Sequence, residues 1–346
     1  PGQRVKVPFG RQTLTGLVAE TGVTPPDGIT LKPILEVLEP WLALPTATFQ
    51  LLSWASDYYQ HPLGECLFTA LPPALRRGRP SQQKQDEHWQ GTQNIAPLPA
   101  NAHRQKALLE SIQRAPGIST GELVKAGFNR PQIKSLRDKG LIELSDPQHP
   151  TSSESIVTVD GPRLSPAQLA AAKELPQVTD RFSATLLYGI TGSGKTELYL
   201  HYLTQKLQDD QQALVLVPEI NLTPQTLERF RRYFGNRIVA WHSALNDSER
   251  LATWLRIRHG EPVILIGTRS AVLLPFTNLR AIVVDEEHDN SYKQGEGFRY
   301  SGRDVAVYRA HLNQCPVILG SATPSLESWH NARQGKYHLI RLEQRA

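Results

Sequence analysis

Gly189-Ile190-Thr191-Gly192-Ser193-Gly194-Lys195-Thr196 is the stretch that decides the fold of this 346-residue chain. A glycine, four free positions and Gly-Lys-Thr follow an apolar run, Thr185-Leu186-Leu187-Tyr188, that predicts a strand. Glu197-Leu198-Tyr199-Leu200-His201-Tyr202-Leu203 comes next and predicts a helix. Strand, glycine loop and helix in that order make a phosphate-binding loop. Gly189, Gly192 and Gly194 let backbone N–H groups turn inward around phosphate oxygens, with Thr191 and Ser193 between them. The helix amino terminus adds its positive end. Lys195 is expected to reach the outer phosphates of ATP, and the Thr196 hydroxyl to ligate Mg²⁺.

Two later segments extend the pattern. Ala281-Ile282-Val283-Val284 is a β-branched run that ends in Asp285-Glu286-Glu287-His288. Acidic residues at the end of a buried strand suit the second metal-holding position of such an ATPase. Asp285 is expected to hold Mg²⁺, and Glu286 to orient and deprotonate the attacking water. His288 is expected to link the nucleotide site to neighbouring elements rather than to bind metal. Val317-Ile318-Leu319-Gly320 then leads into Ser321-Ala322-Thr323, another strand ending in small hydroxyl residues.

In this order, the glycine loop, the Asp-Glu-Glu-His box and Ser-Ala-Thr resemble the motifs of superfamily-two helicases. Val217-Pro218-Glu219-Ile220-Asn221-Leu222-Thr223-Pro224-Gln225, Leu245 to Arg250, Gly267-Thr268-Arg269-Ser270-Ala271 and Ser291 to Asp304 narrow the likeness. Together they resemble the PriA family of primosomal replication-restart helicases, along nearly the whole chain. The resemblance implies an α/β fold. A RecA-like ATPase lobe (163–346) would follow a β-rich domain that binds DNA 3′ ends (1–100) and a winged-helix domain (101–162). It implies an ATP-dependent 3′-to-5′ helicase that recognises stalled or abandoned forks and starts primosome assembly. A fork-binding scaffold with a dispensable ATPase, and a translocase that separates no strands, stay open beside it.

Composition fits these expectations. Net charge is +5 and hydrophobic residues make up 39%, enough for sizeable cores and compatible with nucleic acid. The two cysteines, Cys66 and Cys315, are far apart, which argues against a disulfide framework or structural zinc site and for a reducing compartment. Apolar runs are of strand length, so no membrane-spanning helix is expected, and no signal peptide is read. The expected location is the cytoplasm, at forks on the nucleoid. With no Met and an end soon after Ser-Ala-Thr, the chain reads as a fragment that binds DNA but is deficient in hydrolysis. The second lobe and a zinc-binding module would lie beyond Ala346.

Elements can be placed along the chain. Arg4 to Gly10 and Leu14 to Ala19 predict a β-pair, Leu31 to Leu38 another strand, and Thr46 to Tyr59 a helix. Residues 76–87 are breaker-rich and predict a loop. Helices are expected over 103–114, 119–125 and 130–139, with wing strands at 141–144 and 156–159. This pattern is that of a winged helix, either touching DNA or serving as a spacer. In the last region, strands at 185–188, 213–217, 263–266, 281–284 and 316–319 alternate with helices at 196–208, 222–234, 247–258 and 303–313. That alternation predicts a parallel sheet covered on both faces, with ligands at the strands' carboxyl ends.

Further residues carry expectations. Ser165 and Gln168 fit a capping box, and the family resemblance gives Gln168 an adenine contact. Tyr292, Lys293, Phe298, Arg299 and Tyr300 lie on a loop with Gly295 and Gly297, a composition suited to stacking on single-stranded bases. A packed loop is the alternative. Arg269 is expected to grip DNA phosphates or to form an internal ion pair. Gly10 and Lys32 match positions of the family's DNA 3′-end pocket. Trp54, Tyr58 and Lys336 match its site for the acidic, Phe-ended tail of single-stranded-DNA-binding protein. Trp54 and Tyr58, which share a helix face, equally suit a core. Forked and single-stranded DNA, that tail and other primosome proteins are the implied partners.

Overall fold

An antiparallel hairpin opens the chain, β1 (Arg4–Phe9) against β2 (Gln12–Leu17), closing through Gly10 at φ +58°. That left-handed turn position favours glycine. A computed structural model describes residues 1–24, 27–28, 30–81, 87–92, 98–99, 102–145, 161–178 and 181–345. The strand expected over 31–38 is only β3 (Glu36–Val37), paired with β1. Pro33 has no N–H to give a ladder, so regular pairing starts after it. Helices α1 (Thr46–Tyr58), α2 (Leu63–Thr69) and α3 (Pro73–Arg76) follow. The buried Arg4 guanidinium pairs with Glu39 and donates to the Leu75 and Arg79 carbonyls, tying β1 to the end of this segment.

A separate unit, Gln82–Val157, contains β4 (His88–Gly91), α4 (His103–Arg114), β5 (Ile118–Ser119), α5 (Thr120–Lys125), α6 (Arg130–Asp138) and β6 (Ile142–Leu144). The three expected helices and the first wing strand are present. The expected strand at 156–159 lies outside the described residues. This unit begins before residue 101, because β4 is the central strand of the β5-β4-β6 sheet. Reciprocal capping boxes, Ser119 with Glu122 and Asn129 with Gln132, start α5 and α6. Trp89, Leu108, Ile112, Leu123, Ile133 and Leu136 form its core.

The remaining chain builds one parallel sheet of seven strands. In chain order the elements are α7 (Pro166–Glu174), β7 (Ser183–Gly189), α8 (Lys195–Lys206), β8 (Gln212–Leu216), α9 (Pro224–Phe234) and β9 (Ile238–Trp241). They continue with α10 (Asp247–Arg258), β10 (Ile264–Gly267), β11 (Leu279–Val284), α11 (Gly302–Leu312), β12 (Pro316–Ser321), α12 (Leu326–Arg333) and β13 (His338–Leu342). Spatial order is β13-β7-β12-β11-β8-β10-β9. Neighbouring residues alternate between the faces: Ala213, Val215 and Val283 pack under α7, α8 and α9. Leu214, Leu216 and Val284 pack under α10 and α11.

The first 81 residues are not a separate body. Contacts group Pro1–Ser81 with Thr158–Ala346, so the described chain forms two units where three segments were expected. Leu51, Leu52 and Leu67 of α1 and α2 share a core with the α10–α11 face of the sheet. Trp254 Nε1 donates to the Ala70 carbonyl at 2.8 Å. The Arg309 guanidinium is buried, donating to the Val272 carbonyl and Thr48 Oγ1 beneath the Phe276 ring.

Candidate nucleotide site and its flanking loop

The glycine loop lies between β7 and α8, at the carboxyl edge of the sheet. Gly192 and Gly194 have φ of +81° and +76°, values that a side chain disfavours. A Cβ on Gly189 would sit 2.7 Å from Ser193 Oγ, so a side chain there would force Ser193 to shift. Lys195 is buried; its Nζ donates to the Gly189 carbonyl at 3.0 Å and lies 3.3 Å from Glu286 Oε1. Ser193 Oγ is buried with no partner among the described residues. An orphan hydroxyl, a buried cation and a glycine cradle together fit an anionic phosphate.

The acidic box follows β11 and faces this loop. Asp285 Oδ1 accepts from the Tyr199 hydroxyl at 3.1 Å, and the Asp285 carbonyl accepts from Tyr292 at 2.7 Å. Burial, with Glu286 adding repulsion, pushes the Asp285 carboxyl up to about 6. A cation beside it would favour the charged form. Beside Thr196 and Asp285 opens a cleft of about 290 Å³, also lined by Tyr199, Asn221, Thr223 and Arg229. Glu286 stands at φ +45°, a left-handed backbone uncommon outside glycine that turns its carboxylate toward Lys195. His288 Nδ1 shares a hydrogen bond with Ser321 Oγ at 2.7 Å and lies 3.7 Å from Glu286. It therefore connects the acidic box to Ser-Ala-Thr.

Glu287 had no role in the sequence reading. It is buried and accepts from Ser325 N at 2.7 Å, Ser325 Oγ and Ser328 Oγ at 2.9 Å, and Arg303 at 3.3 Å. These bonds fasten the box to the start of α12. A third acidic residue in the box after a buried strand was the available signal.

Several expected residues stand differently. Gln168 is buried: its oxygen accepts from Ser165 N at 2.8 Å, and its amide donates to the Ser193 and Gly194 carbonyls. The side chain thus caps α7 and ties it to the phosphate loop. Tyr292, Phe298 and Tyr300 are 2%, 6% and 6% exposed, so their rings are not available to stack on bases. Phe298 packs against Tyr300, Tyr59 and His61. Lys293 and Arg299 of the same loop remain exposed. Among the described residues Arg269 forms no ion pair; it donates to the Ser291 and Lys293 carbonyls at 2.8 and 2.7 Å, holding the start of the loop.

The amino-terminal expectations are placed but not brought together. Gly10 and Lys32 are both exposed, and neither lines the nearby cleft formed by Lys6, Thr15, Glu36 and Arg77. Trp54 is half-buried and stacked on Tyr308 at 3.8 Å; Tyr58 stacks on it at 5.0 Å and is 62% exposed. Lys336 is exposed in the turn after α12.

Comparison with known proteins gives consistent matches. The DEAD/DEAH box helicase family matches residues 165–332, and the 3′ DNA-binding domain family (3′BD) matches residues 1–72. Replication restart protein PriA of Haemophilus influenzae is 40% identical over 100% of this chain and 48% of its own length. Its counterpart in Chlamydia pneumoniae is 39% identical over 91% of this chain and 44% of its own length. The chain thus spans about half the length of the curated relatives it matches. Among solved structures, RecG bound to a three-way DNA junction matches 53% of this chain and 24% of that one, at 24% identity and TM-score 0.38.

Proposed function

The chain is a relative of replication restart protein PriA along its entire length, and from that premise we propose that it serves an ATP-dependent 3′-to-5′ DNA helicase. That helicase recognises stalled or abandoned forks and starts primosome assembly. One observation carries the reading: Lys195 meets Glu286, and His288 of the same box meets Ser321. Three segments distant in sequence thereby converge at the edge of one parallel sheet.

In this reading Gly189, Thr191, Gly192, Ser193 and Gly194 cradle the phosphates of ATP, and Lys195 leaves Glu286 to meet them. Thr196 and Asp285 hold Mg²⁺. Bound ATP supplies the phosphoanhydride whose hydrolysis drives movement along DNA. Glu286 Oε1, released from Lys195, takes the proton of the attacking water. His288 and Ser321 set the angle of the box, and Gln168 steadies the phosphate loop from α7. Lys293 and Arg299 contact DNA phosphates, which give affinity without sequence preference. Gly10 and Lys32 are assigned to the DNA 3′ end, and Trp54, Tyr58 and Lys336 to the tail of single-stranded-DNA-binding protein. Work at forks places the protein in the cytoplasm; no helix among the described residues is long and apolar enough to cross a membrane.

Residues 1–346 alone are assigned DNA binding with slow ATP turnover. The relatives are about twice as long, and an arginine finger from a second lobe is commonly worth about 10³–10⁵ in rate. Strand displacement on forked DNA by the whole protein tests the function. ATP-dependent release of the strand, with 3′-to-5′ polarity, is expected. Stable fork binding and ATP hydrolysis with no strand released would show a translocase instead.

A further inference from the structure

The loop after the acidic box is held at both ends. At its start, the Tyr292 hydroxyl donates to the Asp285 carbonyl, and Arg269 holds the Ser291 and Lys293 carbonyls. Lys293 and Ser301 form a β-bridge, so the two sides of the loop are linked. At its far end the partner comes from the amino-terminal segment. The Ser301 N–H donates to the Tyr59 hydroxyl at 3.2 Å, a contact spanning 242 positions of sequence. The rings of Tyr59 and His61 pack on Phe298 at 6.1 and 5.3 Å.

The turn that presents these two rings is itself fixed. Gln60 stands between them at φ +52°. His61 N donates to the Ser56 carbonyl at 3.0 Å, and Ser56 Oγ donates to the His61 carbonyl at 2.6 Å. A left-handed non-glycine residue persists only where its surroundings over-determine it. The end of α1 is thus a built support for the loop and not a passing contact.

We infer that Tyr59 is a positioning residue for the ATPase. It sets the far end of a loop whose near end holds Asp285, so the amino-terminal segment governs how strongly DNA contact stimulates hydrolysis. The inference rests on the proposed reading of the chain as an ATP-dependent helicase whose loop residues Lys293 and Arg299 contact DNA, and it takes that contact to stimulate hydrolysis. It extends that reading to a residue outside the phosphate loop, the acidic box and the sites assigned to DNA and partners.

Tyr59→Phe in the whole protein is the test, because it keeps the ring against Phe298 and removes only the oxygen that accepts from Ser301. Three quantities are read below the melting transition: basal ATPase, DNA-stimulated ATPase, and hydrogen exchange at the Ser301 amide. Exchange at Ser301 should quicken. The ratio of stimulated to basal rate should fall on the order of threefold to tenfold, the scale of one lost hydrogen bond. Basal rate and the KM for ATP should hold. An unchanged ratio, with or without faster exchange, would overturn the inference, as would equal falls in basal and stimulated rates. Wild-type protein that DNA does not stimulate at all would instead refute the functional reading, before any variant is made.

Discussion

Lys195 and Glu286 hold each other at 3.3 Å, so each has a separable role to lose. Lys195→Ala should abolish nucleotide binding, because the outer phosphates lose their cation; titration with a fluorescent ATP analogue measures it. Glu286→Gln should bind that analogue normally and fail to turn ATP over, since an amide cannot take the water's proton. Comparable turnover would remove Glu286 from the role of base. Glu287 behaves as a structural charge. Glu287→Ala should cost about 3–5 kcal/mol, because the buried Arg303 loses a partner and the Ser325 and Ser328 donors lose their acceptor. Urea unfolding of the variant gives that figure directly. The sequence showed Lys195 and Glu286 clearly because fixed spacing carries their chemistry. Glu287 was hidden because its partners lie 16 to 41 positions away.

At the scale of elements, the loop from Asp289 to Ser301 is where composition misleads. Alternating aromatics and cations suit base stacking, yet the structure turns the rings inward and leaves the cations out. Replacing Tyr292, Phe298 or Tyr300 with Ala should therefore destabilise the fold by about 3–5 kcal/mol each, as for other buried aromatics. Replacing Lys293 and Arg299 should leave stability intact and weaken DNA binding, each lowering the salt slope for single strands by about 0.7. Thermal melts and a salt titration of DNA affinity separate the two outcomes. The five strands of the sheet read from the sequence are all present, because central parallel strands are continuous apolar runs. Both edge strands escaped notice: β9 has four residues, and β13 interleaves His338 and Arg341 with its apolar residues. The segment His88-Trp89-Gln90-Gly91 has no strand pattern of its own; pairing with β5 and β6 makes it one.

For the whole molecule, the order of motifs revealed the ATPase sheet, but nothing local revealed that the first 81 residues share its core. That sharing rests on contacts such as Trp254 with Ala70, which no periodicity encodes. Residues 158–346 expressed without residues 1–81 should accordingly be less stable than the intact chain. The uncovered α10–α11 face exposes Trp254 and leaves the Arg309 cation without Thr48. Melting temperature and solubility of the shortened protein check this; equal stability would mean the shared core is dispensable. The same seam has a consequence for synthesis. Thr48 leaves the ribosome 261 residues before Arg309, a wait of roughly 13–52 s at about 5–20 residues per second. During that interval Leu51, Leu52 and Leu67 have made their chain but not their neighbours. The nascent chain carries an apolar surface that stays uncovered until the sheet and its α10–α11 face have been made, which makes it a client for chaperones that shield emerging polypeptides.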